Sequence, residues 1–271
     1  MVIPLMKRLK DSPLARTSKT HYQNPQMLAY DTLGSPDAEP LVFLHGLGAG
    51  KLRTFSGLPF LESLYLVAPD LPGHGKSTGF DPETFSFDSF ADHVIALMDH
   101  LGIEKCHLGG LSMGSGITLN IALRYPGRFK KLIILRPSWL DSPCPPHLKL
   151  VADAGEMSRD QFEALPEFQT LLAENEPVAN SITAVYQSRD NAVLNRMWHS
   201  CPFHSLDDLA SITAPALVMS CPRDDLHPES VASTIAKALP NSQLVSIPAR
   251  YHEPEAYQKS LNQHINQFLN T

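Results

Sequence analysis

A chain of 271 residues with 43% hydrophobic and 18% charged side chains can bury a large core and lies within the length range of a single α/β domain. Its formal net charge of -6, with no basic run longer than residues 6–10, leaves no electrostatic footprint for nucleic acid or an anionic membrane and points to a small-molecule partner. The short apolar run at residues 2–6 stands ahead of the basic residues rather than behind them, so neither a signal peptide nor a spanning helix is expected and the chain reads as cytoplasmic.

Residues 1–40 carry Pro4, Pro13, Pro25, Pro36 and Pro40 and little periodicity, which fits one or two edge strands joined by loops. Residues 41–44 (LVFL) form a buried strand that runs into His45-Gly46-Leu47-Gly48-Ala49-Gly50, a loop that bares backbone N–H groups. It is neither a dinucleotide fingerprint, which needs glycine where Lys51 stands, nor a phosphate loop, which needs Ser or Thr at Leu52. A strand at 64–68 leads into the Gly- and Pro-rich turn 69–77. Phe87, Phe90, Val94, Leu97, Met98 and Leu101 then recur at helical spacing, with Ser86 or Asp88 as cap and Gly102 as stop.

The most informative stretch follows. An apolar strand at 103–108 meets Gly110-Leu111-Ser112-Met113-Gly114, and Ile117, Ile121 and Ala122 carry a buried helix toward Pro126. Glycines on both sides of one serine suit a strand-to-helix turn so tight that the backbone passes close to itself and the hydroxyl projects outward. Ser112 is the candidate nucleophile. A strand at 131–136 closes at Pro137, and alternating strands and helices argue a mostly parallel sheet covered on both faces. Residues 137–208 break the rhythm, with short helical patches and no strand. This reads as an inserted helical cap on a core formed by 1–136 and 209–271. Strands at 215–220 and 243–247, a helix near 228–239 and a closing helix with Tyr257, Leu261, Ile265, Phe268 and Leu269 on one face complete the chain. Cys106, Cys144, Cys201 and Cys221 lack paired spacing, so buried free thiols and no metal site are expected.

From about residue 28 onward the sequence resembles the α/β-hydrolase fold enzymes with a helical cap, on the strength of His45-Gly46-Leu47-Gly48, Asp70-Leu71-Pro72-Gly73-His74-Gly75-Lys76-Ser77 and the Gly110 to Gly114 elbow, in that order. The resemblance implies a sheet of about eight strands and a Ser-His-Asp triad. The acid loop of the family has a glycine, two residues, Asp, three residues and a proline. Here Cys221-Pro222-Arg223-Asp224-Asp225-Leu226-His227-Pro228 matches it at Asp224, with Cys221 replacing the glycine and Asp225 as neighbour. The base is expected after the last strand, at His252, although Tyr251 precedes it and the Pro254-Glu255 pair follows sooner than in relatives. His227, in the acid loop, and His264, in the closing helix, are its rivals, and Asp141 is a further candidate acid.

In that arrangement Ser112 loses its proton to His252 as it attacks, Asp224 fixes the imidazole tautomer, and the backbone N–H groups of Leu47 and Met113 stabilise the oxyanion. No metal, nucleotide or flavin is required. A serine nucleophile excludes the epoxide hydrolases and haloalkane dehalogenases, which resemble this chain but attack with aspartate. Hydrolysis of an ester, lactone or thioester remains, with carbon-carbon cleavage of a diketone as one alternative and a non-catalytic receptor or scaffold as another. Trp139, Phe162, Phe168, Met197, Trp198 and Phe203 supply apolar surface from the cap for a pocket, with Trp139 as the expected substrate contact. Arg136 ends the strand after the elbow helix. It either binds a substrate carboxylate or ties the cap to the core through an acidic residue.

Overall fold

A computed structural model describes residues 16–23, 25–52, 54, 58, 63–183 and 191–271, without the side chains of residues 191 and 192. The apolar and basic runs within residues 2–10 lie outside them. Eight strands form one sheet: β1 (Thr17–Gln23), β2 (Gln26–Leu33), β3 (Glu39–Leu44), β4 (Leu64–Pro69), β5 (Cys106–Leu111), β6 (Phe129–Leu135), β7 (Ala216–Ser220) and β8 (Ser242–Ser246). Their order is β1-β2-β4-β3-β5-β6-β7-β8. Pairing is antiparallel at β1/β2 and β2/β4 and parallel from there on.

The central strands alternate between two faces because successive side chains of a strand point oppositely. Val42, Leu44, Leu108, Ile134 and Val218 face one core, shared with α1 (Phe87–His100), α2 (Met113–Arg124) and α8 (Glu229–Ala238). Leu41, Phe43, Ile133, Leu217 and Met219 face the other, against Tyr257, Leu261, Ile265 and Phe268 of α9 (Pro254–Leu269). Ser86, not Asp88, caps α1: its hydroxyl accepts from Ser89 N–H, and the Ser89 hydroxyl accepts from Ser86 N–H.

Two sequence expectations shift. The strand expected at 103–108 is β5 at Cys106–Leu111, because Ile103 N–H is taken by Met98 O at the end of α1. The glycines meanwhile pair on both sides, Gly109 and Gly110 lying opposite Phe43 and Leu44 of β3 and Ile133 and Ile134 of β6. β2 is also not an edge strand. The polar β1 covers it, and Ala29 through Leu33 are buried between β1 and β4.

Between β6 and β7 the described residues carry α3 (Lys149–Glu156), α4 (Arg159–Glu163), α5 (Pro166–Glu174), α6 (Glu176–Thr183), α7 (Asn191–Trp198) and short 3-10 turns, and no strand. Ala154, Phe162, Phe168, Ala179 and Ile182 form a separate small core there. Phe162 and Phe168 pack on each other with ring centroids 4.6 Å apart, so these aromatics stabilise the helical segment itself. Cys106 and Cys221 are buried, Cys144 and Cys201 half-buried, and all four are free thiols.

Candidate active site

Ser112 occupies the one-residue gap between β5 and α2 with φ 55° and ψ −115°, a left-handed conformation that costs a non-glycine residue on the order of 1–3 kcal/mol. The surroundings over-determine it. Ser112 N–H donates to Leu135 O at 3.0 Å, and its carbonyl accepts from Ser115 N–H at 2.9 Å. A Cβ on Gly110 would stand 2.1 Å from the Gly114 carbonyl carbon, and one on Gly114 would stand 2.2 Å from Leu44 O, so the turn closes only with glycine at both positions. Met113 N–H opens α2 beside the serine, and Gly46 packs against Ser112, bringing the Leu47 loop to the same place. Leu47, Ser112 and Trp139 line one cavity of about 150 Å³.

The loop after β3 is braced by two histidines. His45 Nδ1 donates to Gly46 O at 2.8 Å and its Nε2 accepts from Leu71 N–H at 3.0 Å. His74 Nδ1 donates to Pro72 O at 3.0 Å and its Nε2 accepts from Gly48 N–H at 3.2 Å. Each ring faces a carbonyl through one nitrogen and a backbone N–H through the other, which selects the neutral tautomer. Burial, reinforced by the neighbouring His74, pushes the pKa of His45 down to about 3. Beneath this loop Asp70 accepts from Lys51 N–H and Lys51 Nζ, both at 2.7 Å, and from Lys76 N–H at 3.0 Å. Although burial opposes ionisation, these contacts hold the Asp70 carboxyl below its usual range. The histidine brace and the Lys51–Asp70 pair were not among the residues that sequence reasoning assigned a role. Each joins the β3 loop to the β4 loop, and nothing local in either loop announces the partner.

The acid loop holds the densest electrostatics. Asp224 is 5% exposed, its Oδ1 lies 2.9 Å from His227 Nδ1, and its Oδ2 accepts from Arg136 Nε at 2.7 Å and also from Nη2. Burial alone would raise the carboxyl pKa, but the neighbouring His227 and Arg136 hold it well below the usual carboxylate range. His227 is pushed down to about 4 by burial, Asp224 raising and Arg136 lowering it further. Arg136 itself is completely buried in left-handed backbone (φ 47°), and its guanidinium lies over the rings of Tyr251, 5.5 Å away, and Tyr257, 6.0 Å away. Its carboxylate partner is therefore internal and belongs to the acid loop, not to the helical segment or to a ligand at the cavity wall.

His252 lies elsewhere. From Ala249, whose carbonyl accepts from His252 N–H at 3.2 Å and Glu253 N–H at 2.7 Å, the chain turns at once into α9. Tyr251 reaches the cavity wall, while His252 Nε2 lies 3.1 Å from Asn175 Oδ1, and Asn175 in turn donates to Asp225 at 2.7 Å. Among the described contacts, the histidine that meets Asp224 is His227, and His227 lines the cavity with Ser112. His264 sits within α9. Asp141 accepts from Leu206 N–H at 3.2 Å. A residue that had no role in the sequence, Ser138, links the two sides: its hydroxyl lies 3.3 Å from Ser112 Oγ and donates to Leu226 O at 2.8 Å.

Two outcomes follow for stability. His45 and His227 are neutral when folded but titrate near 6.5 when unfolded, so the unfolded chain binds more protons below that pH. Stability is therefore complete above about pH 6.5 and falls as pH drops toward 4 for His227 and 3 for His45, with Asp224 adding a loss below about pH 4. His227 alone accounts for on the order of 3 kcal/mol. Urea midpoints measured between neutral and acidic pH check this, and a flat midpoint would mean the rings take up protons in the fold as readily as in the unfolded chain. Separately, Arg136→Met leaves the buried Asp224 carboxylate without its cation and is expected to cost about 3–5 kcal/mol. A loss below about 1 kcal/mol in urea unfolding would contradict the buried pair.

Residues 39–197 match the family model of the alpha/beta hydrolase fold, and the chain belongs to that family. It is 31% identical over 222 residues to the candidate carbamate hydrolase RutD of Stutzerimonas stutzeri (strain A1501), covering 77% of this chain and 83% of that one. It is 27% identical over 267 residues to the dihydrolipoyllysine-residue acetyltransferase component of the acetoin cleaving system of Pseudomonas putida, covering 90% of this chain and 67% of that one. A thermophilic esterase from Thermogutta terrifontis shares the fold with a TM-score of 0.71 at 23% identity, covering 94% and 98% of the two chains. Among the described residues no helix is long and apolar enough to cross a membrane, and no three His, Cys, Asp or Glu side chains group as metal ligands.

Proposed function

We propose that this protein is a serine hydrolase of small acyl substrates, carboxylic esters, thioesters or lactones, with Ser112 as nucleophile and an acyl-enzyme intermediate. The observation that carries the reading is the strained backbone of Ser112 at the strand-to-helix turn, on the wall of a cavity it shares with Leu47. An alcohol is a poor nucleophile near neutral pH, so an imidazole oriented by Asp224 takes the proton as Ser112 Oγ bonds to the acyl carbon. The backbone N–H groups of Met113 and Leu47 receive the developing oxyanion, each donor contributing on the order of 3 kcal/mol. The leaving alcohol or thiol takes the proton, and water repeats the sequence on the acyl-enzyme. That one relative carries the name of a carbamate hydrolase agrees with acyl-carbonyl chemistry.

The cavity limits the substrate. About 150 Å³ is the size of an engineered cavity that admits benzene, which favours a short acyl group. Trp139 and Leu148 give it apolar walls, and the segment between β6 and β7 acts as the cap over it. A panel of p-nitrophenyl esters tests both points: acetate and butyrate are expected to turn over faster than octanoate and longer chains, and a fluorophosphonate is expected to label Ser112. Ligand binding with neither ester turnover nor labelling would replace the enzyme reading by a receptor of the same fold.

A further inference from the structure

We propose that the general base of Ser112 is His227, on the same loop as the acid, rather than the histidine that follows the last strand. The inference rests on the serine-hydrolase reading and names the residue that completes it.

Four observations carry it. His227 is the histidine bonded to Asp224, Nδ1 to Oδ1 at 2.9 Å, and both side chains are buried. His227 also lines the cavity of Ser112, whereas His252 turns its Nε2 to Asn175. Ser112 is tied to the His227 loop through one hydroxyl, since Ser138 donates to the carbonyl of Leu226, the residue before His227, and lies within reach of Ser112 Oγ. Finally, the chain from Ala249 closes into α9 through bonds from His252 and Glu253 to the same carbonyl, and in that path the His252 ring lies at Asn175.

The proton inventory follows from those contacts. His227 Nδ1 has two neighbours at 2.9 Å, Asp224 Oδ1 and Arg136 Nη2. A guanidinium has no lone pair to offer and an ionised carboxylate has no proton, so Nδ1 bonds only one of them. In the tautomer that donates Nδ1–H to Asp224, Nε2 keeps its lone pair for Ser112. Arg136 holds the other carboxylate oxygen and keeps Asp224 ionised, so it acts as a positioning residue. In the step itself the Oγ–H proton moves to Nε2 while Oγ bonds to the acyl carbon and the carbonyl π pair moves onto oxygen. Collapse of that adduct breaks the bond to the leaving oxygen or sulfur, which takes the proton from Nε2. Water then attacks the acyl-enzyme through the same ring.

The test uses the full chain, a p-nitrophenyl ester and a fluorophosphonate, with folding followed by circular dichroism. His227→Gln is expected to lower kcat by about a millionfold and to slow fluorophosphonate labelling of Ser112 in parallel, while His252→Gln keeps kcat within about threefold of wild type. A loss of more than a hundredfold in folded His252→Gln would overturn the proposal, and that variant decides the matter even if His227→Gln does not fold, because His252 is only half-buried. Ser112→Ala separates the two levels. If it retains turnover the serine-hydrolase reading fails. If it loses turnover together with His252→Gln while His227→Gln stays active, only the assignment of the base fails.

Discussion

Ser112→Ala is expected to lower kcat by about six orders of magnitude and to leave the fold intact. The size follows from removing the atom that forms the covalent bond, since an oxyanion site and substrate binding alone retain only about a thousand- to ten-thousandfold advantage over water. The fold should survive because, among the described residues, the serine hydroxyl makes a single hydrogen-bond contact, 3.3 Å from Ser138, while the turn is held by the backbone bonds of Ser112 to Leu135 and Ser115. Alanine can occupy the same strained φ, so urea stability should change by less than about 1 kcal/mol. Folded Ser112→Ala protein that hydrolysed a good ester at more than about a tenth of the wild-type rate would remove Ser112 from the reaction.

How far the sequence could reveal the site depends on which residues are local to one another. The elbow was legible because its requirements are backbone requirements. Gly110 is dictated by an approach of 2.1 Å to Gly114 within the turn, Gly114 by one of 2.2 Å to the neighbouring strand at Leu44 O, and the strand and helix on either side carry their own periodicity. The closing helix was legible for the same reason, with Tyr257, Leu261, Ile265 and Phe268 on one buried face. The acid loop was legible in position but not in contacts. The count from Cys221 to Pro228 places Asp224, yet nothing in the segment says that Arg136, 88 residues earlier, would take one carboxylate oxygen. The imidazole on the other oxygen, three residues later, was visible only as a rival to His252, because which of two rings faces an acid is set by the path of the loop after β8. The Lys51–Asp70 pair escaped altogether, since a lysine after a glycine-rich loop looks solvated until a second loop folds over it.

Asp224→Asn is expected to lower kcat by about four orders of magnitude, whereas Asp225→Asn should stay within about threefold of wild type. The difference lies in hydrogen-bond direction. Asp224 accepts at both oxygens, from Arg136 at one and facing the imidazole at the other. An amide there can still offer its oxygen to the guanidinium, which leaves its NH₂ group pointing at the imidazole. The imidazole nitrogen must then accept, its proton moves to the far nitrogen, and the nitrogen that should take the Ser112 proton becomes a donor. The substitution also removes the negative charge that balances Arg136 and the imidazolium formed in the transition state, so a loss of stability should accompany the loss of rate. Asp225 has no such duty: its carboxylate accepts from Asn175 at 2.7 Å, and an amide oxygen can accept that bond equally well. Asp141 accepts a backbone N–H from Leu206, so Asp141→Asn should likewise spare the rate. The three variants, compared for kcat on one ester at equal folded concentration, give a ranking. A large defect at Asp225 or Asp141 with a mild one at Asp224 would move the acid away from the Arg136 cluster.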